Sequence, residues 1–334
     1  MEKFTPQQVK EKILAIENLS LKESDVTEIR EQQGGLVNYV FRIETTRGLF
    51  FLKQFLGELK ADFFKGLELG PKDRITLSYE VENTFEEILG KETKIIPHIF
   101  EHNKEEGYLA IEGFNNVKPL IEEFKLGNFP EAVIKDLANK LARVHQITYK
   151  NPNTKLNLYN KEWLKLKLKY QYYEVASFLS QKNAQKLINF ANGYIKRKFV
   201  LTHGDLCSIN ILLDDKAWHL IDFEDAHIGT PAFDLGYFLS ELFIARLNFP
   251  EKKEQISFLI LEFLNNYFKI FDKQERAEVE KEASLHLGSL LLYRTFGLSK
   301  DIFTSHVREE VRSQIKELAE SIFEKENLTL SNLI

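Results

Sequence analysis

The sequence contains one cysteine in 334 residues, Cys207, so it cannot form an internal disulfide and does not require an oxidising compartment. It also lacks long apolar runs: stretches such as residues 258–261 fall far short of the roughly 18 residues of a membrane span. The N-terminal segment has neither an uninterrupted apolar region nor a small-residue cleavage site, both of which a secretory signal needs. These absences predict a soluble cytoplasmic protein.

The chain also lacks an excess of basic residues. Its 45 Lys and Arg are outnumbered by 50 Asp and Glu, a formal charge of −5, which excludes a protein that coats nucleic acid through its overall charge. The hydrophobic share of 43% is too high for a disordered chain. At about 100 to 200 residues per domain, the 334 residues predict roughly two domains with ample material for a core.

The N-terminal part predicts a helix followed by antiparallel strands. Pro6 suits the first turn of a helix whose apolar residues Val9, Ile13 and Ile16 lie on one face. The alternation that follows is typical of half-buried strands. These strands are predicted at residues 26–33, 37–43 and 49–54, with tight turns at Gly34-Gly35 and Arg47-Gly48.

The helical period returns at residues 75–89, and Gly90 marks the end of that helix. Short strands are predicted at residues 95–101 and 108–112, and helices dominate from Pro130 onward. We therefore predict an α+β chain in two unequal parts. Residues 1–112 would form a sheet with a helix, and residues 113–334 would be mainly helical.

One strand-rich segment, residues 199–221, interrupts the helices and carries a cluster of polar residues at its strand ends. Asp205 follows one apolar strand, Asn210 precedes a second, and Asp222 follows a third. Three oxygen-bearing side chains suit a hard cation such as Mg²⁺, whose coordination is usually completed by substrate phosphates. Phosphoryl transfer needs that charge neutralisation and a base near the attacking hydroxyl. The pattern indicates Asp205 as the base and Asn210 with Asp222 as metal ligands, although each acid alone is also typical of a cap or turn.

The spacing of these residues matches the catalytic and metal loops of kinase-like folds. His203-Gly204-Asp205 stands in place of the protein-kinase HRD, Asp222-Phe223-Glu224-Asp225-Ala226 follows, and residues 229–236 read GTPAFDLG. This combination resembles the aminoglycoside phosphotransferase and choline kinase superfamily, over about residues 29–241. The resemblance implies a bilobal protein-kinase-like fold and transfer of the gamma-phosphoryl group of ATP, with Mg²⁺, to a hydroxyl of a small sugar, amino alcohol or aminoglycoside.

In the first lobe the resemblance implies a nucleotide site. Lys53, embedded in an apolar strand, would pair with the phosphates and needs an acidic partner because its burial is costly. Glu80 on the following helix is the expected partner, with Glu82 the weaker choice because it lies on another face. The hairpin that covers the phosphates would consist of Gly34, Gly35, Leu36, Val37 and Asn38. The hinge that faces the nucleotide base would consist of Glu112, Gly113 and Phe114.

One branch of the superfamily shares further stretches with this chain. Residues 35–42, the pair Asp73-Arg74 and residues 293–298 are similar to methylthioribose kinases. Two positions depart from that pattern, because those enzymes have a Ser-type residue where Asn210 stands and an Asp-Pro-Glu turn where this chain has Asp222-Phe223-Glu224. Methylthioribose is therefore one candidate acceptor and no more.

Acidic residues after the metal loop bear on the acceptor. If Glu224 and Asp225 bind substrate, they favour a cationic one such as an amino alcohol or aminoglycoside; as turn or capping acids they would be structural. Farther along, Asp234 is expected to brace the catalytic loop and Glu241 to face solvent.

Several other residues are interpreted as structural. Cys207 lies near His203, but no acid is placed to orient that histidine and thiol chemistry has no use for an Asp-Asn-Asp set. His145 is expected to pack or cap. Four lysines alternate with apolar and aromatic residues, which favours a solvated helix face over a nucleic-acid contact. They are Lys161, Lys165, Lys167 and Lys169.

Two alternatives from other functional classes are open at this point. A pseudo-kinase that only binds would not need Asp205, Asn210, Asp222 and Lys53 together. A protein kinase would carry the HRD arginine and a DFG glycine, where this chain has Gly204 and Glu224. The predicted partners are ATP, Mg²⁺ and a small hydroxyl substrate, with neither nucleic acid nor a membrane.

Overall fold

The computed structural model describes residues 2–32, 37–57, 60, 70–149, 161–325 and 327–334. The chain forms two compact units. Unit 1 consists of Met1–Lys118 and Leu213–Glu224, and unit 2 of Pro119–Leu212 and Asp225–Ile334. The first unit therefore extends beyond residue 112 and takes in a later segment that holds Asp222 and Glu224.

Unit 1 is built on a five-stranded sheet. Its order is β1-β2-β3-β5-β4, and all neighbouring strands are antiparallel. The alternating pattern of the sequence marked these strands, although β1 ends earlier and β4 begins later than that pattern suggested. The strands are β1 (Val26–Glu31), β2 (Tyr39–Thr45), β3 (Gly48–Gln54), β4 (Ile99–Asn103) and β5 (Tyr108–Gly113).

Successive strand residues point to opposite sides of this sheet, so apolar residues lie on both faces. One helix covers each face. Helix α1 (Pro6–Ala15) starts at a capping box formed by Thr5 and Gln8, and its Val9 and Ile13 join the core of one face. Helix α2 (Pro71–Leu89) contributes Ile75 to the core of the other face. The first core also contains Phe41, Ile43, Phe50, Leu52, Tyr108 and Ala110, and the second Phe55, Ile99 and Leu109.

Unit 2 is mainly helical, as the sequence predicted from Pro130 onward, and residues 161–194 form several short elements in place of one long helix. Helix α5 runs into a π-helical turn at Lys169–Tyr173 and a 3-10 turn at Val175–Phe178 before α6 begins. No helix in the described ranges is both long and apolar enough to cross a membrane. The helices are α3 (Leu120–Lys125), α4 (Glu131–Thr148), α5 (Lys161–Leu168), α6 (Gln181–Tyr194), α7 (Pro231–Asn248), α8 (Lys253–Tyr267), α9 (Lys273–Phe296), α10 (Lys300–Phe303) and α11 (Glu309–Glu324).

Short strands carry the predicted polar cluster. They are β6 (Lys118–Pro119), β7 (Val200–Thr202), β8 (Ile211–Leu213), β9 (Trp218–Leu220) and β10 (His227–Gly229). Within unit 2, β7 and β10 pair antiparallel, with Thr202 opposite His227.

Helix α7 forms the centre of unit 2 and is buried from Pro231 to Ala245. It packs closely on α9 because Gly236 has no side chain: a Cβ there would lie 2.6 Å from the Cβ of His286 and 2.9 Å from the carbonyl oxygen of Ala283. This close packing fixes the two acids of α7, Asp234 and Glu241, beneath the loop that follows β7.

Candidate active site

The loop after β7 has a backbone path that only glycine allows. Gly204 has a φ of +82°, in the left-handed region that L side chains rarely adopt. A Cβ at this position would also lie 2.0 Å from the carbonyl oxygen of Asp225. The His203-Gly204-Asp205 motif thus turns sharply against the chain entering β10, and this turn presents Asp205.

Asp234 braces this loop from below, as the sequence analysis expected. Its carboxylate accepts hydrogen bonds from the backbone amides of His203 (2.8 Å) and Gly204 (3.0 Å). His145 lies 3.2 Å from the same carboxylate and 2.7 Å from the Tyr267 hydroxyl, which is a structural role. Burial would raise the pKa of Asp234, but the hydrogen bond and charge of His145 lower it below the ordinary value.

Three donors from unit 2 hold the Asp205 carboxylate. Asn210 Nδ2 donates to Oδ2 at 2.8 Å, Lys167 Nζ lies 3.3 Å from Oδ1, and the Tyr237 hydroxyl donates a further hydrogen bond. Gln171 donates to the Tyr237 oxygen at 2.9 Å, which leaves the hydroxyl proton available for Asp205. The side chain is therefore fixed in direction before any substrate binds.

These donors also determine the charge of Asp205. Burial would raise its pKa, but the Lys167 charge and the Tyr237 hydrogen bond outweigh burial and lower the pKa to about 2. Asp205 is consequently ionised at neutral pH. An ionised, oriented carboxylate can accept or align the proton of an attacking hydroxyl.

Lys167 is a residue of this site that sequence reasoning missed. Its side chain is 6% exposed, and its ammonium contacts both Asp205 and the Asp225 carboxylate. Burial alone would lower the pKa of Lys167, but the Asp225 and Asp205 charges raise it above the ordinary value. The available signal was its spacing, since Trp163, Lys167 and Gln171 recur every four residues on one buried face.

The side chain of Asn210 is oriented by its hydrogen bonds to Asp205. Its Nδ2 donates to the backbone oxygen of Asp205 at 2.9 Å as well as to its carboxylate, so the amide oxygen points the other way. Amide and carboxylate oxygens are the donors that Mg²⁺ takes from proteins. The second predicted ligand, Asp222, belongs to unit 1. Clusters of three or more His, Cys, Asp or Glu with metal-binding geometry do not occur among the described residues.

Glu241 corrects an expectation, because it is buried and does not face solvent. It accepts hydrogen bonds from the backbone amide (3.0 Å) and the hydroxyl of Ser208. Arg294 lies 3.2 Å away and is itself buried, with further hydrogen bonds to Ser240 and Tyr237. A second acid of α7 therefore supports the far end of the loop that Asp234 supports at its start.

Cys207 lies in the same loop as a buried free thiol. Its Sγ is 3.8 Å from Oδ2 of Asp205, and burial together with that negative charge raises the pKa of the thiol well above its ordinary value. Because the thiolate is the nucleophilic form, this environment agrees with the interpretation of Cys207 as a bystander.

In unit 1, Lys53 of β3 forms a charge cluster with the segment that follows β9. Its Nζ lies 2.5 Å from Oδ1 of Asp222 and 3.3 Å from Oε2 of Glu224. Burial would lower the pKa of Lys53, but the Asp222 and Glu224 charges raise it above the ordinary value. Lys53 is thus a fixed positive charge beside a predicted metal ligand.

The predicted hairpin residue Asn38 joins this cluster. It is buried, its Nδ2 donates to Glu224, and its Oδ1 accepts from Arg74 of α2. Arg74 also donates to the carbonyl oxygen of Leu56 at 3.0 Å. Glu224, predicted as a substrate acid, therefore pairs with internal donors.

Helix α2 supplies a different acid from the one the sequence favoured. Glu82 is buried and its charge acts on Lys53, whereas Glu80 is partly exposed. Burial raises the pKa of Glu82 to about 8, against the opposing pull of Lys53. The structure thus favours Glu82 over Glu80 as the helix carboxyl group next to Lys53.

Asp222 occupies an unusual backbone conformation, with a φ of 70°. Such a conformation in a residue other than glycine costs about 1 kcal/mol or more and persists where the surroundings enforce it. Here the next residue, Phe223, is buried against Phe85 of α2 with ring centroids 5.0 Å apart. The packing of Phe223 and the ion pair to Lys53 together hold the Asp222 carboxylate in place.

The remaining residues predicted to contact the nucleotide lie only partly within the described part of the chain. Gly34, Gly35 and Leu36 lie outside the described residues, and Val37 lies within them. Glu112 and Gly113 end β5, and the Phe114 ring stacks on His219 with centroids 3.6 Å apart. The predicted hinge thus comes just before Lys118, where unit 1 passes the chain to unit 2.

Comparisons with known proteins show similarity to phosphotransferases and kinases. Residues 119–266 match the model of the phosphotransferase enzyme family. No curated protein gives a sequence match to the chain. The fold is similar to that of choline kinase from Cryptosporidium parvum Iowa II, with 14% identity, a TM-score of 0.57 and coverage of 97% of this chain and 98% of that one.

Two further solved structures have a similar fold. Plasmodium vivax ethanolamine kinase is 12% identical, with a TM-score of 0.56 and coverage of 97% of this chain and 90% of that one. A spectinomycin phosphotransferase solved with ADP and spectinomycin is 13% identical, with a TM-score of 0.52 and coverage of 97% of this chain and 100% of that one. These similarities confirm the predicted α+β, bilobal kinase-like fold. The match of residues 119–266 to the phosphotransferase enzyme family agrees with the resemblance and the enzyme class predicted from the sequence.

Proposed function

We propose that this protein is an ATP- and Mg²⁺-dependent small-molecule kinase that transfers the gamma-phosphoryl group to a hydroxyl of its acceptor. The observation that carries the proposal is the state of Asp205: an ionised carboxylate, fixed by three donors, on a loop that Asp234 and Glu241 support. The match of residues 119–266 to phosphotransferases supports the same assignment. Asp205 orients the attacking hydroxyl and receives its proton as the bond to phosphorus forms.

On the nucleotide side, Lys53 orients the phosphates, and the Asp222 and Glu224 carboxylates hold its ammonium in place. The phosphates are covered by the hairpin of Gly34, Gly35, Leu36, Val37 and Asn38. The base of the nucleotide contacts Glu112, Gly113 and Phe114. A protein of similar fold solved with ADP supports a nucleotide in this role. ATP as co-substrate and a single unpaired cysteine both suit a cytoplasmic setting.

Asn210 and Asp222 are proposed as the protein ligands of Mg²⁺, each on the evidence of its own unit. Asn210 turns its amide oxygen away from Asp205, and Asp222 is held in an uncommon backbone conformation beside Lys53. When bound, the ion would neutralise charge on the phosphates of the nucleotide.

The test measures Mg²⁺-dependent consumption of ATP across a panel of hydroxyl acceptors. Asp205→Asn keeps the shape of the side chain but removes its charge, so we expect kcat to fall by about a thousandfold. Asp215→Asn is the matched control, since Asp215 is exposed in the turn after β8 and should retain wild-type activity. Wild-type turnover by folded Asp205→Asn protein would contradict the proposal.

A further inference from the structure

The ammonium of Lys167 occupies a site built to hold a cation. It contacts the carboxylates of Asp225 and Asp205, and it lies over the Tyr237 ring at 4.8 Å from the centroid. Two acids and an aromatic face are the groups that recognise an organic ammonium ion. In this protein the cation in that site is the ammonium group of Lys167 and not a bound ligand.

Both carboxylate oxygens of Asp225 already accept a hydrogen bond from within unit 2. Oδ1 accepts from the indole Nε1 of Trp163, and Oδ2 accepts from Lys167. Its side chain is 14% exposed, so water contributes little to its solvation. The acid that the sequence offered for binding a cationic acceptor is therefore already satisfied.

The same holds in unit 1 for the other acid considered for substrate. Glu224 accepts from Asn38 and lies 3.3 Å from Lys53. Glu224 and Asp225 are thus each paired with a lysine and a hydrogen-bond donor of this chain. Within unit 2, a cationic acceptor approaching Asp205 would meet the Lys167 charge, and the Asp225 carboxylate there is already paired.

We propose that Lys167 is a specificity-determining residue whose internal charge excludes cationic acceptors, so that the acceptor is an uncharged hydroxyl compound such as a sugar or polyol. This inference rests on the proposed function and narrows its acceptor class. Like charges at a partly buried site repel each other, so the Lys167 ammonium would disfavour a cationic acceptor relative to an uncharged acceptor of similar shape.

The experiment compares acceptors in pairs that differ only in charge. Suitable pairs are choline with 3,3-dimethyl-1-butanol and glucosamine with glucose, assayed by ADP release with Mg²⁺ and ATP. In the pair with the highest turnover, the uncharged member should have a kcat/KM at least about tenfold higher. A higher kcat/KM for the charged member would overturn the inference and leave the kinase function standing.

Four variants separate charge from structure. Lys167→Met should shift the ratio of kcat/KM values about tenfold toward the cationic member. Lys167→Met/Asp225→Asn removes one charge of each sign and should return the ratio to the wild-type value. Asp225→Asn alone should shift the ratio of kcat/KM values further toward the uncharged member. This variant tests the inference even if Lys167→Met does not fold. Lys165→Met is the control, since Lys165 is 48% exposed and should leave the ratio unchanged.

The outcomes divide clearly. An unchanged ratio in folded Lys167→Met and Asp225→Asn proteins would overturn the inference, because a merely structural pair would alter stability and not preference. Failure of the wild type to bind Mg²⁺-ATP or to turn over any pair would overturn the proposed function and the inference together.

Discussion

The backbone amide of Gly204 donates to Oδ1 of Asp234 at 3.0 Å, so a buried acid of the central helix sets the course of the loop that carries Asp205. The neighbouring amide of His203 donates to the other oxygen of the same carboxylate. Since both amides are buried, neither has water as an alternative partner. The position of Asp205 therefore depends on a side chain 29 residues farther along the chain.

The first prediction concerns Asp234→Asn. The new amide nitrogen would face a backbone N–H donor, leaving a buried donor unpaired at a cost of about 1–3 kcal/mol. We expect a lower free energy of unfolding, measured by urea denaturation, and a kcat about tenfold or more below wild type because Asp205 loses its alignment. The KM for ATP should change little.

Asp272→Asn is the matched control for this substitution. Asp272 also accepts two backbone hydrogen bonds, from Gln274 (2.9 Å) and Glu275 (2.8 Å), but it does so at the exposed start of α9. Asn caps helices about as well as Asp, so stability should change by less than about 0.5 kcal/mol. Equal effects of the two substitutions would contradict the bracing role of Asp234.

The second prediction concerns Gly204→Ala. The added methyl group would lie 2.0 Å from the Asp225 carbonyl oxygen in a conformation that alanine avoids, so the loop must move. We expect a loss of more than about 2 kcal/mol of stability and most of the activity. Gly193→Ala in α6 is the control: no atom lies within 4 Å of a Cβ there, and the change should stabilise the helix by about 0.5–1 kcal/mol. A fully active Gly204→Ala protein would show that the turn is not required.

The loop itself was predictable from sequence because its chemistry is local. Residue types and spacing within a few tens of residues mark Asp205, Asn210 and Asp222, and short apolar runs mark the strands next to them. Asp234, which was expected to brace the loop, lies in the GTPAFDLG stretch that carries the family resemblance.

Lys167, Glu241 and Glu82 could not be assigned in the same way. Lys167 stands among exposed lysines, and its inward direction depends on the partners Asp205 and Asp225, which come 38 and 58 residues later. Glu241 is buried only because Arg294 of another helix is there to pair with it. Helical spacing can mark a residue such as Lys167 as lying on a buried face, but it does not identify a charged partner in a distant segment.

The third prediction concerns Lys53→Met. Removal of the ammonium leaves the Asp222 and Glu224 carboxylates without their shared cation. Asp222 is 36% exposed and partly screened by water, so we expect a stability loss of only about 1–2 kcal/mol by thermal or urea unfolding. Because the phosphates lose their positive partner, KM for ATP should rise and kcat should fall by about a hundredfold.

Lys72→Met provides the comparison within the same unit. Lys72 pairs with Glu105 on the surface, with 57% and 82% of the side chains exposed. Its removal should change stability by less than about 0.5 kcal/mol and leave KM for ATP unaltered. Were Lys53→Met to match Lys72→Met in both measurements, the nucleotide role of Lys53 would be untenable.

The last prediction concerns pH and Glu82. Burial raises the pKa of this carboxyl to about 8 in the folded protein, from about 4.5 when unfolded. Between those values the folded state holds a proton that the unfolded state has lost, so stability must fall as pH rises from about 4.5 to 8. Glu82→Gln keeps the neutral shape and removes that slope. In urea unfolding the two proteins should be about equal near pH 5, and the variant should become the more stable by up to about 1.4 kcal/mol per pH unit toward pH 8. Parallel stability profiles for the two proteins would show that Glu82 is already ionised in the fold.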